Sequence, residues 1–132
     1  MRLRVFAACV VVLALVVSAG TPALRVAVRA EGDNGSAAKL VSLLSKEIRG
    51  LDGVSVVDDS PQFTVSCSAI SLDMGRIHGV GYAASVAVVS ADGHLLVHFV
   101  QSAESLEGLA HEVALAVDGG ILEHARRTLR AR

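Results

Sequence analysis

The chain has 132 residues, of which 52% are hydrophobic and 19% are charged, and its formal net charge is −1. This length and composition fit one globular domain with enough apolar side chains for a core, so intrinsic disorder is excluded. Loss of the first 19 residues would remove two arginines and leave ten basic against thirteen acidic side chains, a net charge near −3. A net negative charge argues against nucleic acid as a partner.

The first residues have the pattern of a secretory signal peptide. Arg2 and Arg4 precede an uninterrupted apolar run over residues 5–17, and small residues follow the run. A run of this length is short of the roughly 20 residues that a membrane-spanning helix needs, and it falls within the roughly 7–15 residues of a signal-peptide core. We therefore expect residues 1–19 to be a signal peptide.

Cleavage of this leader would determine the cysteine content of the exported protein. We expect cleavage after Ala19, with Ala23 as the second choice, so that residues 20–132 form a single domain in the periplasm or outside the cell. Cys9 lies too early in the apolar run to be a lipid-modified cysteine. Cys67 would then be the single cysteine of the exported domain. It could not form an internal disulfide even in an oxidising compartment.

The first two predicted elements are a strand and a helix. Apolar residues alternate with arginine and alanine over residues 24–29, which is the period of a strand with one buried face. Apolar residues then recur at helical spacing over residues 36–49. Ser36 or Asn34 would be the N-cap of this helix, and Gly50 would stop it.

Four further strands are predicted by alternating or continuous apolar runs, over residues 54–57, 63–69, 80–89 and 95–100. The last two strands would form a hairpin, because Asp92-Gly93 is a dipeptide favoured in two-residue turns. Placing Ala91 opposite His94 then determines the register. This register collects large apolar side chains on one face, through the pairs Val88 with Val97 and Val86 with Phe99. On the opposite face it places His98 across from Ala87.

The C-terminal segment predicts an amphipathic helix over residues 103–129, since its apolar residues are three or four apart. Gly119-Gly120 weakens the middle of this helix, so we expect a kink or break there. The element order is therefore β-α-β-β-β-β-α. One right-handed crossover followed by hairpins gives an α/β (α+β, two-layer) fold, in which a mixed sheet carries both helices on one face.

Three segments together resemble the small accessory domains of bacterial envelope systems. They are the leader, the strand-helix-strand opening that ends in "VSVVDDSPQF", and the hairpin "GYAASVAVVSADG". The amino-terminal domain of the TolB translocation protein and the curli-assembly (CsgG-like) domain are similar in element order over about residues 24–125. No motif matches residue for residue, so no functional positions are carried over. The resemblance implies a cell-envelope module that binds other envelope proteins and is not an enzyme.

The stretch "GHLLVHF" raises the question of a metal site, because it contains His94 and His98. On a strand, residues four apart are separated by roughly 13 Å, which is too far to share one ion unless a bulge intervenes. We therefore favour a solvent-facing sheet surface and predict neither a metal nor a cofactor. Cys67 alternates with core residues, so we expect its thiol to pack as a small hydrophobe.

The sequence favours a non-enzymatic protein-interaction domain, because it contains no recognisable nucleophile or acid-base pair. The sheet face away from the helices would be flat, small and mostly polar. This face, or an exposed edge strand, would bind an envelope protein or a second copy in a homodimer. The residues predicted to contribute are Arg25, Arg29, Ala87, His94 and His98. The alternative, from another functional class, is a small-ligand or metal-binding domain, or an enzyme, that uses the same face.

Four arginines crowd the last seven residues, at Arg126, Arg127, Arg130 and Arg132. Positive charge at this position complements the carbonyl end of a helix dipole, which is the favoured interpretation. The alternative is a peripheral electrostatic contact with an anionic membrane surface or an acidic partner.

Overall fold

A five-stranded mixed sheet carries the helices on one face, in a computed structural model that describes residues 23–33, 35–73 and 79–132. The strands are β1 (Leu24–Gly32), β2 (Val54–Val56), β3 (Phe63–Asp73), β4 (Val80–Ser90) and β5 (Leu95–Ala103). The helices are α1 (Ser36–Arg49), α2 (Leu106–Val117) and α3 (Glu123–Arg130). The predicted α+β fold with a mixed sheet is confirmed, whereas the predicted signal peptide over residues 1–19 lies outside the described residues.

The strand order in the sheet is β2-β1-β3-β4-β5. Strand β1 pairs in parallel with both β2 and β3, because α1 carries the chain back before each of them begins. Strands β2 and β3 lie on opposite sides of β1. Val26 of β1 pairs with Val56 at the end of β2 and with Phe63 at the start of β3. The segment between these two residues therefore crosses from one side of β1 to the other. The remaining strands follow as antiparallel neighbours.

The core lies between the sheet and the helices. Alternate residues of the strands and every third or fourth residue of the helices are buried there, because most apolar side chains of each element lie on one side of it. The largest fully buried side chains are Leu24, Val26, Leu40, Leu44, Ile48, Val65, Val86, Val88, Leu109, Val113, Val117 and Leu122. Burial of each such side chain stabilises the fold by about 1.5–3 kcal/mol.

A π-helical turn at Asp118–Leu122 joins α2 to α3, at the place where the glycine pair predicts a kink or break. Val117 and Leu122 are both fully buried although they are five residues apart. In a regular α-helix this spacing would turn Leu122 away from the core face. The wider π turn adds one residue and so keeps both side chains against the sheet.

The N-terminus of α1 differs from the prediction. The helix begins at Ser36, but its N-cap is Gly35, which has a φ of 73° and makes no side-chain capping bond. The Ser36 hydroxyl donates to the Asp33 carbonyl at 2.5 Å instead. The prediction of Ser36 as N-cap is therefore wrong, and Asn34 lies outside the described residues. At the other end, the helix stops at Gly50 as predicted.

The β4–β5 hairpin has a three-residue loop rather than the predicted two-residue turn. The Ser90 N–H donates to the His94 carbonyl, and the Gly93 N–H donates to the Ser90 carbonyl, so that Ala91, Asp92 and Gly93 form the loop. Gly93 has a φ of 87°, the left-handed conformation that the third residue of such a loop requires. The prediction that Ala91 lies opposite His94 is therefore wrong.

A bulge at Leu96 restores the predicted register beyond this loop. Val89 pairs with Leu95, whereas Val88 pairs with Val97, which leaves Leu96 as the extra residue on β5. The strand pairing then continues as the sequence predicts. The confirmed pairs are Val88 with Val97, Ala87 with His98, and Val86 with Phe99.

Candidate functional site

A row of side chains from four strands crosses the sheet face that points away from the helices. Arg29 on β1 pairs with Ser66 on β3, Ser66 pairs with Ala87 on β4, and Ala87 pairs with His98 on β5. Paired residues direct their side chains to the same face of a sheet. The fold therefore brings three of the predicted binding residues, Arg29, Ala87 and His98, into one line.

Arg25 and His94 lie at the periphery of this face. Arg25 is exposed on β1, and its backbone N–H donates to Gln62 Oε1 at 2.9 Å. His94 precedes β5, and its Nδ1 lies 2.9 Å from Asp92 Oδ2 in the hairpin loop. The structure therefore does not bring His94 into the row that contains His98.

The imidazole of His98 has a different partner. Its Nε2 lies 2.6 Å from the Ser85 hydroxyl, across the β4–β5 pairing. The bulge at Leu96 does intervene between the two histidines, yet each ring bonds to a separate residue. Among the described residues, no group of three or more His, Cys, Asp or Glu side chains lies close enough to hold a metal ion.

The Ser85–His98 pair has the first two components of a nucleophilic site, a hydroxyl and a base within hydrogen-bond distance. Such a site also needs donors for the oxyanion that forms during acyl transfer. Strand β4 pairs with β3 on one side and β5 on the other, so the ladder uses the backbone N–H groups beside Ser85. The sequence gives no motif for this pair, because only the strand pairing makes the two residues neighbours.

A shallow depression of about 410 Å³ lies on the same face, and three residues of the row, Arg29, Ser66 and Ala87, contribute to its lining. Its polar lining includes one cation, one carboxylate and three hydroxyl groups, contributed by Arg29, Glu31, Ser66, Ser68 and Ser85. These groups can exchange hydrogen bonds with a small polar ligand. Strand alternation in the sequence predicts the open face but not the depression, since neither Glu31 nor Ser68 belongs to a motif.

Strand β5 forms one edge of the sheet and exposes apolar side chains. Val100 is 68% exposed, Leu95 is 62% exposed and Leu96 is 42% exposed. The strand has nine residues and contains no Lys, Arg, Asp, Glu or Pro. Natural edge strands are usually protected from pairing with other molecules by charged residues, proline, short length or a β-bulge. Of these features, β5 has only the bulge at Leu96.

The opposite edge of the sheet is protected. Strand β2 has three residues, all of them half-buried, and the chain leaves the edge immediately afterwards. The Val57 N–H donates to the Val26 carbonyl as the chain begins to cross β1. The two edges of the sheet therefore differ in length and in exposure.

Cys67 lies in the core, as predicted. It is buried on the helix-facing side of β3, and this burial raises the pKa of its thiol to about 12. The thiol is therefore protonated at neutral pH, and it packs as a small apolar group.

The C-terminal arginines are mostly paired with carboxylates of this chain. Arginine nitrogens lie within ion-pair distance of carboxylate oxygens for Arg126 with Asp118 (2.5 Å), Arg127 with Glu123 (2.5 Å) and Arg130 with Asp52 (3.6 Å). These ion pairs reduce the local positive charge, and the contact with an anionic membrane stays a prediction. No helix in the described ranges has the length and apolar character needed to cross a membrane.

Comparison with known proteins identifies relatives in structure only. No protein-family model matches the chain, and no curated protein matches it in sequence. A PelC variant dodecamer from Paraburkholderia phytofirmans is similar with a TM-score of 0.54 and 12% identity, over 73% of this chain and 88% of that chain. A second PelC dodecamer from the same organism gives 0.52 and 11%, over 73% and 87%.

Lipoprotein GNA1162 from Neisseria meningitidis gives a TM-score of 0.45 and 12% identity, over 75% of this chain and 96% of that chain. The two PelC structures show that this chain shares their fold. The resemblance to TolB and CsgG-like domains stays a prediction.

Proposed function

We propose that the chain is an exported, non-enzymatic interaction domain of the cell envelope and that its binding partner is a further copy of itself. The observation that carries this proposal is the β5 edge, which is nine residues long, contains no Lys, Arg, Asp or Glu, and exposes large apolar side chains. Alternate residues of an edge strand direct their N–H and C=O groups away from the sheet. These groups, beside the exposed Val100, form a template for a strand of another molecule.

Two further observations support the proposal. PelC, which shares this fold, is a dodecamer, so the fold is compatible with self-association. Export is supported by the leader sequence, in which Arg2 and Arg4 precede the apolar run over residues 5–17. Envelope localisation, in the periplasm or at the cell exterior, is the part of the proposal that this leader and the resemblance to envelope accessory domains support.

The surroundings of the Ser85–His98 pair support the non-enzymatic part of this proposal. This pair is the arrangement on the open face that comes nearest to a nucleophilic site, and the strand ladder on both sides of β4 uses the backbone donors that an oxyanion would need. A binding function requires no such donors.

Light scattering coupled to size-exclusion chromatography tests the proposal. We expect the wild-type chain to form oligomers and Val100→Lys to be monomeric, because a charge at the edge opposes strand pairing. Ile70→Lys is the matched control, since Ile70 is 54% exposed but lies on β3, inside the sheet. A monomeric wild-type chain would contradict the proposal. Association that is lost in Ala87→Lys but kept in Val100→Lys would assign the contact to the open face instead.

A second candidate function is the binding of a small polar ligand in the depression beside Arg29. The mixed lining of cation, carboxylate and hydroxyl groups supports it. Calorimetric titration with inorganic phosphate separates the two functions. Saturable binding that is lost in Arg29→Ala and kept in Val100→Lys would favour this second function.

A further inference from the structure

We propose that two copies of the chain pair β5 with β5 in antiparallel orientation, about a twofold axis at Val100, so that two five-stranded sheets become one continuous sheet. This inference rests on the self-association proposed above and specifies its surface, symmetry and register. It concerns the strand edge, which is distinct from the depression on the open face.

The lengths of the two sheet edges favour this pairing. Strand β5 has nine residues and β2 has three. Head-to-tail pairing of β5 with β2 of another copy would leave most of β5 unpaired. Twofold pairing brings together two edges of equal length, so each satisfies the backbone groups of the other.

The bulge at Leu96 determines the register. A bulge bends and twists its strand, which removes Leu95 and Leu96 from the flat part of the edge. The pairing with β4 is regular from Val97 to Ala103. The midpoint of this regular segment is Val100. Antiparallel pairing about that midpoint gives the longest ladder and places Val100 opposite Val100 of the partner subunit.

The chemistry of β5 suits this register. Val100 is the most exposed large apolar side chain in the described part of the chain. In the proposed dimer, Val100 of the partner subunit would cover it and remove apolar surface from water. A twofold axis places each residue near it opposite the same residue of the partner, so a charged side chain would face a like charge and destabilise the dimer. Strand β5 contains no Lys, Arg, Asp or Glu. His98 would lie opposite Ser102 of the partner subunit, where both side chains can form hydrogen bonds.

The helix-facing side of β5 also fits. Val97 and Phe99 are only partly buried, because they lie at the border of the core next to the free edge. In the proposed register, Phe99 would lie opposite Gln101 of the partner subunit, and Val97 opposite Ala103 of the partner subunit. The core border of each copy would then be covered by the other copy. Any larger assembly would need a second interface, because a twofold contact closes after two copies.

Cysteine cross-linking in the full-length chain tests this register. Cys9→Ser is introduced throughout, and Cys67 is retained because it is buried. Val100→Cys is expected to form a covalent dimer rapidly with a short bifunctional thiol reagent. Ser102→Cys is the matched control on the same face of the same strand. Its two thiols would be offset by four residues, about 13 Å, so we expect at least about tenfold slower dimer formation.

Hydrogen exchange on the unsubstituted chain gives a second measurement. Concentrating the protein is expected to slow amide exchange in residues 97–103, because the free edge becomes paired. Exchange in residues 54–56 of β2 is expected to be unchanged. This experiment does not depend on whether a cysteine variant folds.

The outcomes separate the two proposals. If light scattering finds only monomers, self-association fails and the twofold pairing fails with it. If oligomers form but Val100→Cys and Ser102→Cys cross-link at equal rates, the register proposed here is overturned while self-association stands. Cross-linking of Val100→Cys preferentially to Ser55→Cys in a mixed sample would establish head-to-tail pairing of β5 with β2 and would also overturn it.

Discussion

The fold changes the ionisation of Cys67 and of Asp92 in opposite ways. Cys67 is surrounded by apolar side chains, and desolvation raises the pKa of its thiol to about 12. Asp92 is fully exposed, and hydrogen bonds from Ser90 and then His94 lower the pKa of its carboxyl group. The position of Cys67 could be predicted from alternation along β3, whereas the bonds of Asp92 depend on a loop geometry that the sequence did not predict.

We predict that Cys67 is unreactive in the folded chain. At pH 8, a thiol reagent should react with Cys67 in a Cys9→Ser chain at least about 100-fold more slowly than with the same chain unfolded in guanidinium, because the nucleophile is the thiolate. Absorbance of the released thiol chromophore measures the rate. Equal rates in the folded and unfolded chains would show that the site is open to solvent.

Asp92 should make the hairpin sensitive to acid. Because its pKa is lower in the folded chain than in the unfolded chain, its contribution to stability is present above its usual pKa of 3.8 and is lost as the pH falls through the lowered value. Urea unfolding between pH 7 and pH 2.5 should therefore show a wild-type advantage over Asp92→Asn that shrinks below about pH 4. Ser90→Ala, which removes the largest cause of the shift, should reduce the same advantage. A pH-independent difference would contradict this assignment.

At the scale of elements, the hairpin shows what local pattern can and cannot predict. Alternation predicted the pairs Val88 with Val97 and Val86 with Phe99, because this register brings these four large apolar side chains together on the core face. The loop length was not predictable, because Asp92-Gly93 suits a two-residue turn and also the last two positions of a three-residue loop.

The candidate site was predictable only in part, for a similar reason. Side-chain parity along each strand correctly placed Arg29, Ala87 and His98 on one face. Their alignment in one row depends on β3 lying between β1 and β4, and strand order leaves no signature in the pattern of a single strand. The contact between Ser85 and His98 also depends on this long-range pairing.

The π-helical turn gives a prediction about Gly119 and Gly120. Both are exposed, and a Cβ atom at either position would meet nothing within 4 Å. We expect Gly120→Ala to raise the free energy of unfolding by up to about 1 kcal/mol, because alanine loses less backbone entropy in a helix. Urea titration followed by circular dichroism measures this change.

Gly32→Ala is the matched control for that substitution. A Cβ atom at Gly32 would lie 2.7 Å from the Ser36 hydroxyl oxygen and 3.1 Å from the Ala69 carbonyl oxygen, so we expect a loss of stability there. A loss of stability in Gly120→Ala as well would mean that the π turn requires glycine.

Across the whole molecule, helices cover one face of the sheet and charge is largely balanced within the chain. Helix α1 is tied to α2 by exposed contacts, since Lys39 Nζ lies 3.3 Å from Glu107 and His111 Nδ1 lies 3.1 Å from Glu47. Exposed pairs of this kind contribute about 0–1 kcal/mol each, so apolar packing between the helices and the sheet dominates stability. In the described part of the chain, the helices leave the β5 edge and the open face of the sheet uncovered.

The pairing of the C-terminal arginines predicts weak binding to anionic membranes. We expect the wild-type chain to sediment poorly with vesicles that contain anionic lipid at physiological salt, because Arg127 and Arg130 are paired with carboxylates. The double variant Glu123→Gln, Asp52→Asn should bind more strongly, and added salt should reverse the gain. Strong, salt-sensitive sedimentation of the wild-type chain would favour the membrane contact.

The extra residue in the hairpin loop and the extra residue at Leu96 cancel each other in the pairing of β4 with β5. A homologous chain of the same length that had a two-residue turn and a straight β5 would keep His98 beside Ala87. The turn and the bulge could therefore change together among homologues, with no alignment gap, and leave the geometry of the sheet surface unaltered.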